Sequence, residues 1–148
     1  MINANELRIG NFVMTNNSKY RTEDVGKIAC ITQIDSERTF EEIKGTASLY
    51  LIDDKWKETY GQWLIFLEPI RITEEWFYNF GFKKARTFDH SDRYIIGINP
   101  VTKDWMFCLT WLEGYDYPFY KNGHHEIKYV HQLQNLYFAL TQTELELK

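Results

Sequence analysis

The sequence predicts an α+β fold: a small SH3-like, β-barrel-like first half, then a short helix, an antiparallel β-meander and a C-terminal helix packed on it. Three observations carry this. Short apolar runs separated by polar punctuation recur through the first seventy residues. Thr73, Glu74 and Glu75 open a helix that Gly81 closes. Val130, Leu133, Leu136, Tyr137 and Leu140 recur at helical spacing. The boundary falls at Pro69, which gives residues 1–70 as a small β-barrel-like subdomain and 71–148 as an α+β subdomain, packed together.

In the first half, Gly10-Asn11 punctuates the approach to the apolar run Phe12-Val13-Met14, and Asn16 to Lys19 reads as a polar turn. Val25 to Ile34 alternates loosely, with Ile28, Cys30 and Gln33 on one side and Ala29 and Ile31 on the other. Asp35 to Thr46 suits an exposed hairpin, a loop or a short helix. Leu49 to Ile52 is a short strand ended by Asp53-Asp54-Lys55, and Trp63 to Leu67 is another, stopped by Pro69. A small SH3-like barrel fits this number of strands in this length.

In the second half, Thr73 is placed to accept a hydrogen bond from an early helical N–H, and Glu74 and Glu75 sit at the positive end of the dipole. Gly81 takes the left-handed conformation at the helix end, flanked by Phe80 and Phe82. Tyr94 to Ile98 is a strand, and Asn99-Pro100 and Lys103-Asp104 bracket a turn. Trp105, Phe107, Leu109 and Trp111 share one face of the next strand, with Met106, Cys108 and Thr110 on the other. Asn122-Gly123 predicts a type I′ hairpin between Tyr117–Lys121 and His124–Tyr129. On the last helix His131, Gln132, Gln134 and Asn135 take the polar side. Leu145 and Leu147 alternate with Glu144 and Glu146, as in a short strand returning to the sheet.

Charge narrows the function classes. Net charge is −4. Eight basic and eleven acidic residues precede Arg71 (−3), and nine basic and ten acidic follow from it (−1). Neither half has the basic excess that dominates nucleic-acid binding. The one basic grouping, Lys83, Lys84, Arg86 and Arg93, reads as a solvated turn. The start MINANELRIG lacks the regions of a secretory signal, and no apolar run approaches the roughly 20 residues that span a bilayer. Cys30 and Cys108 lie in apolar runs, as buried thiols of a reducing compartment do. The expectation is a cytoplasmic protein.

Three blocks resemble an uncharacterised family of proteins from gut anaerobic bacteria, their phages and mobile elements. They are Glu6 to Val13, Glu68 to Trp76 with Phe80-Gly81-Phe82, and the segment Tyr129 to Thr141. They cover somewhat under a third of the chain. The resemblance implies a phage or mobile-element setting and brings no catalytic residues with it.

No catalytic or cofactor signature is legible. Phosphate-binding glycine loops are absent, and His90, His124, His125 and His131 do not combine with the cysteines at metal-ligand spacing. A triad of Cys108, His131 and Asp116 can be drawn, but an apolar strand disfavours the thiolate. Adjacent carboxylates, including Asp53-Asp54, Glu41-Glu42 and Glu74-Glu75, are explained by turns and helix starts. The richest stretch is Glu113 to His125. Its Tyr115, Tyr117, Phe119, Tyr120 and Asn122 are the candidate binding residues, because tyrosine offers large amphipathic area at low entropic cost. Alternating aromatics also simply pack on a sheet. The expectation is a non-enzymatic protein that recognises a protein partner. Capture of a nucleotide-like small molecule and an enzyme of unrecognised type are the alternatives. No cofactor is expected.

Overall fold

A computed structural model describes residues 2, 4–16, 25–86, 91–98, 105–120 and 125–148. The chain divides into two compact units, Met1–Ile70 and Arg71–Lys148. Each carries a five-stranded antiparallel sheet. The α+β class is therefore as the sequence predicts, with strand outweighing helix.

The first unit holds β1 (Phe12–Thr15), β2 (Ile28–Phe40), β3 (Ile43–Leu51), β4 (Tyr60–Trp63) and β5 (Leu67–Glu68), in the order β4-β3-β2-β1-β5. The sheet is open: among the described residues no ladder joins β4 to β5. Val13 stands opposite Ala29, and Ile31 opposite Leu49. These four form the core with Ala47, Leu64 and Leu67. The loose alternation of β2 comes from a bulge between Ile31 and Gln33. One extra residue shifts the phase, so Ile34 faces the core beside Ile31 while Gln33 joins the Cys30 face.

Residues 35–46, ambiguous in the sequence, are the far end of the β2–β3 hairpin. Phe40 pairs with Ile43 across a turn at Glu41 and Glu42. A second irregularity separates Asp35 from Thr39, where the Asp35 carboxylate accepts from the N–H groups of Glu37 and Arg38 at 3.2 and 3.1 Å. Trp63 to Leu67 is not one strand. Leu64–Phe66 forms a 3-10 turn that drives Leu64 into the core and leaves Ile65 exposed, and only then does β5 begin.

The second unit holds α1 (Glu74–Asn79), β6 (Lys83–Arg86), β7 (Asp92–Ile98), β8 (Trp105–Trp111), β9 (Phe119–Tyr120), β10 (His125–Glu126) and α2 (Val130–Thr141). Its sheet is the expected meander, β10-β9-β8-β7-β6. Gly81, at φ +79°, ends α1. The Gly81 N–H donates to Tyr78 O and the Phe82 N–H to Phe77 O, both at 2.8 Å, while the Phe77 and Phe82 rings meet edge to face. This pairing of two reversed hydrogen bonds with an apolar clasp is the Schellman arrangement. At the other end, Thr73 is extended but its side chain makes no capping bond, so that expectation fails. The Trp76 N–H bonds the Thr73 carbonyl instead.

The α2 helix is rotated from its predicted face. Val130, His131, Leu133, Gln134 and Tyr137 are buried, while Leu140 is exposed. At about 100° per residue, 130, 133, 134 and 137 fall within one arc, and Leu136 and Leu140 lie at its margin. His131 and Gln134 are thus interior residues, contrary to their placement on a polar side. Residues 143–148 form no strand. Leu145 is buried and the Lys148 N–H donates to Asn79 O at 2.9 Å, so the tail closes on the end of α1 instead of the sheet.

The predicted turns at 16–19, at 99–104 and at Asn122-Gly123 lie wholly or largely outside the described residues. The flanking strands of the last do pair, with His125 opposite Tyr120. No helix of the described residues is long and apolar enough to cross a membrane.

Candidate functional site

In the second unit, strand alternation brings one face of β6, β7 and β8 toward α1. Lys84 stands opposite Tyr94, and Asp92 opposite Trp111. The inner part of this face is closed by aromatic packing. Phe77 stacks on Tyr94 at 4.4 Å and meets Trp111 edge-on at 6.2 Å. Where the face reaches the chain that follows β8, the packing opens into a concave pocket of about 660 Å³. Glu74, Lys84 and Asp92 line one side, and Tyr94, Trp111 and Tyr115 supply rings.

Lys84 forms a bracket. Its Nζ lies 2.8 Å from Glu74 Oε1 and 2.8 Å from Asp92 Oδ2. The Tyr78 hydroxyl donates to the same Glu74 oxygen at 2.6 Å. Lys84 holds the Glu74 carboxyl below its usual range, helped by Tyr78. The Lys84 ammonium is held protonated well above its ordinary range by Asp92 and then Glu74. Burial, and next the neighbouring Glu74, pushes the Tyr94 hydroxyl up as well.

Because Glu74 is lowered, its contribution to stability exists above the ordinary carboxylate range and is lost as pH falls through the lowered value. Lys84 is raised, so its contribution persists through neutrality and is lost only in strong base. A carbon-13 titration of the Glu74 carboxyl is expected to show ionisation at lower pH than a free glutamate. In Lys84→Met that midpoint rises toward the ordinary range.

Tyr115 stands at the mouth of the pocket with 54% of its surface exposed. Its position is fixed from two sides. The Trp111 indole N–H donates to Tyr115 O at 2.9 Å, and the Tyr115 ring meets Phe119 edge-on at 5.1 Å. The Tyr115 N–H also closes a turn onto Leu112 O, with Gly114 at φ +84° supplying the reversal.

The remaining predicted residues go elsewhere. Phe119 is buried in the core. Tyr120 stacks on Phe107 at 5.3 Å. Tyr117 carries two cations, Arg71 at 5.1 Å and Lys128 at 5.3 Å from its ring. Asn122 lies outside the described residues. Of the four described candidates, only Tyr115 lines the pocket.

Sequence reasoning missed Glu74, Lys84, Asp92, Tyr94 and Trp111 as a group. The basic grouping read as a solvated turn instead spans the β6–β7 ladder, with Lys84 bracketed by carboxylates. The available signal was the alternation that puts Asp92 and Tyr94 on one face of β7.

Elsewhere, Cys108 is half-buried in β8, and burial raises its thiol against the opposing pull of Arg93. His125 is exposed on β10 and His131 is buried in α2; His90 and His124 lie outside the described residues. Among the described residues no three His, Cys, Asp or Glu side chains group as metal ligands.

No family model, no curated protein and no solved structure matches the chain.

Proposed function

We propose that this chain is a non-enzymatic binding protein that recognises a protein partner through Tyr115 and the pocket beside it. The observation that carries this reading is Tyr115 itself, whose backbone is held by the Trp111 indole and whose large exposed ring rests on Phe119 at the rim of a concave surface that holds three aromatic side chains. An aromatic fixed before binding adds contact area with little ordering cost. The pocket's charge favours this over capture of an anionic nucleotide, because Glu74, Asp92 and Glu113 outnumber Lys84. General acid–base chemistry asks for groups poised near neutrality. Glu74, Lys84 and Tyr94 are each held away from it, which favours binding over catalysis.

The first unit is, in this reading, a relative of small SH3-like barrels. Support comes from its four-stranded meander, β1 to β4, followed by a fifth strand that returns onto the first after one 3-10 turn. The resemblance of the Glu6–Val13, Glu68–Trp76 and Tyr129–Thr141 segments supports a phage or mobile-element setting, and the free thiols of Cys30 and Cys108 support a cytoplasmic location.

Quantitative capture from cells that naturally contain the protein tests the reading. Tyr115→Ala is expected to lower recovery of the partner at least about tenfold, as loss of an aromatic anchor does. Trp56→Ala, which removes an exposed ring of the first unit, leaves recovery unchanged. Undiminished capture by Tyr115→Ala contradicts the reading.

A further inference from the structure

We infer that the pocket beside Tyr115 receives a basic side chain of the partner protein, arginine in preference to lysine. The inference rests on the binding reading above and adds the chemistry of what is bound.

The pocket's charge selects a cation. Among the described residues the lining holds three carboxylates, Glu74, Asp92 and Glu113, against the one ammonium of Lys84. Lys84 is already committed to two of them at 2.8 Å. An ionised carboxylate offers about four acceptor positions: Glu74 already serves Lys84, Tyr78 and Tyr94, whereas Asp92 serves Lys84. The third carboxylate, Glu113, is exposed beside Tyr115. A second cation entering the pocket therefore meets a formal charge of −2 and acceptors in hand. A phosphate or an acidic side chain meets repulsion, and an apolar side chain strips water from charged groups without replacing it.

The rings favour the same ligand. Trp111 and Tyr115 offer ring surface to the same space, and Tyr94, buried and stacked on Phe77, backs it. The donor of the Trp111 indole is used on Tyr115 O, so what remains of it for a ligand is its π-surface. Ring faces attract cations, and Lys84 Nζ already lies 5.7 Å from the Tyr94 centroid. Guanidinium suits the combination better than ammonium. It is planar, stacks on aromatic faces and presents a fork of donors to carboxylates. A volume of about 660 Å³ also admits the flanking residues of a peptide.

The test uses the full chain and the peptide acetyl-Gly-Gly-Arg-Gly-Gly-amide, with the Trp111 indole N–H signal as reporter. The expected result is a saturable shift below about 10 mM peptide. It weakens as salt rises. The citrulline analogue, which keeps the shape and loses the charge, binds about tenfold less tightly. Glu113→Gln weakens the arginine peptide about two- to fivefold. Equal affinity for citrulline or glutamate peptides, or no saturable Trp111 shift at about 10 mM arginine peptide, overturns the inference. The two levels separate cleanly. If Tyr115→Ala abolishes partner capture while the arginine peptide fails, the binding reading stands and the ligand chemistry is wrong. If capture survives Tyr115→Ala, the binding reading itself falls.

Discussion

Phe77→Ala lowers the stability of the second unit by about 3–5 kcal/mol, the range for removing a buried aromatic ring. Phe77 is fully buried and is the point where α1 meets the sheet. Its ring stacks on Tyr94 and meets Phe82 and Trp111 edge to face. Truncation leaves a void between three rings that are themselves anchored by other contacts, so the site collapses poorly. Two of them, Tyr94 and Trp111, are walls of the pocket, and the loss therefore reaches the site as well as the core. Urea unfolding followed by amide signals of β8 and α2 is the measurement. With a slope of about 1.5 kcal/mol per molar, the midpoint falls by about 2 M or more. A shift under about 0.5 M contradicts the packing described.

Gly45→Ala is the corresponding test of the first unit, with an expected cost of about 2–4 kcal/mol. Two effects add. Gly45 sits in β3 at φ +83°, where an L side chain is strained by about 1–2 kcal/mol. A Cβ there lies 2.5 Å from Leu64 Cδ1 and 3.3 Å from its Cγ. Leu64 is buried in the core at the start of the 3-10 turn, so it has little room to move. Gly26 is the control. It also has positive φ, but a Cβ there meets nothing within 4 Å. Gly26→Ala is expected to cost only the backbone strain. Equal urea midpoints for the two variants, read from β2 and β3 amides, contradict the role given to Leu64.

The parts of the fold that were legible in the sequence are those set by local chemistry. Gly81 between two phenylalanines marks the end of α1 because only a left-handed residue lets both reversed hydrogen bonds form. The alternation Phe107, Leu109 against Cys108, Thr110 marks β8 because one face is buried. What was missed depends on partners distant in sequence. His131 and Gln134 look like surface residues until the helix is docked, since helical spacing defines an arc but not which polar residues inside it find partners. Thr32 becomes a bulge only in the register of β2 against β3. Leu64 to Phe66 has strand-like composition, but the chain must turn there to bring β5 onto β1.

The site divides in the same way. Tyr115 was identifiable as part of a tyrosine- and glycine-rich stretch. Its neighbours Tyr117, Phe119 and Tyr120 carry the same composition, and only the fold sends them to a cationic contact, to the core and onto Phe107. The bracket of Lys84 by Glu74 and Asp92 needs α1, β6 and β7 assembled, and no spacing along the chain announces it. Individually, Glu74 reads as part of a helix start and Lys84 as part of a basic turn, while Asp92 carries no signal of its own.

If the partner docks at Tyr115, a reactive group at that position reaches it. A photoreactive benzoylphenylalanine is placed at position 115 in one version of the full chain and at position 56 in another, and each is irradiated in cells that naturally contain the protein. The expected result is a single discrete protein adduct from position 115, none of comparable yield from position 56, and loss of the 115 adduct when an excess of unlabelled wild-type chain competes. An adduct formed from position 56 in place of 115 would contradict it, as would a 115 adduct that wild-type chain fails to displace.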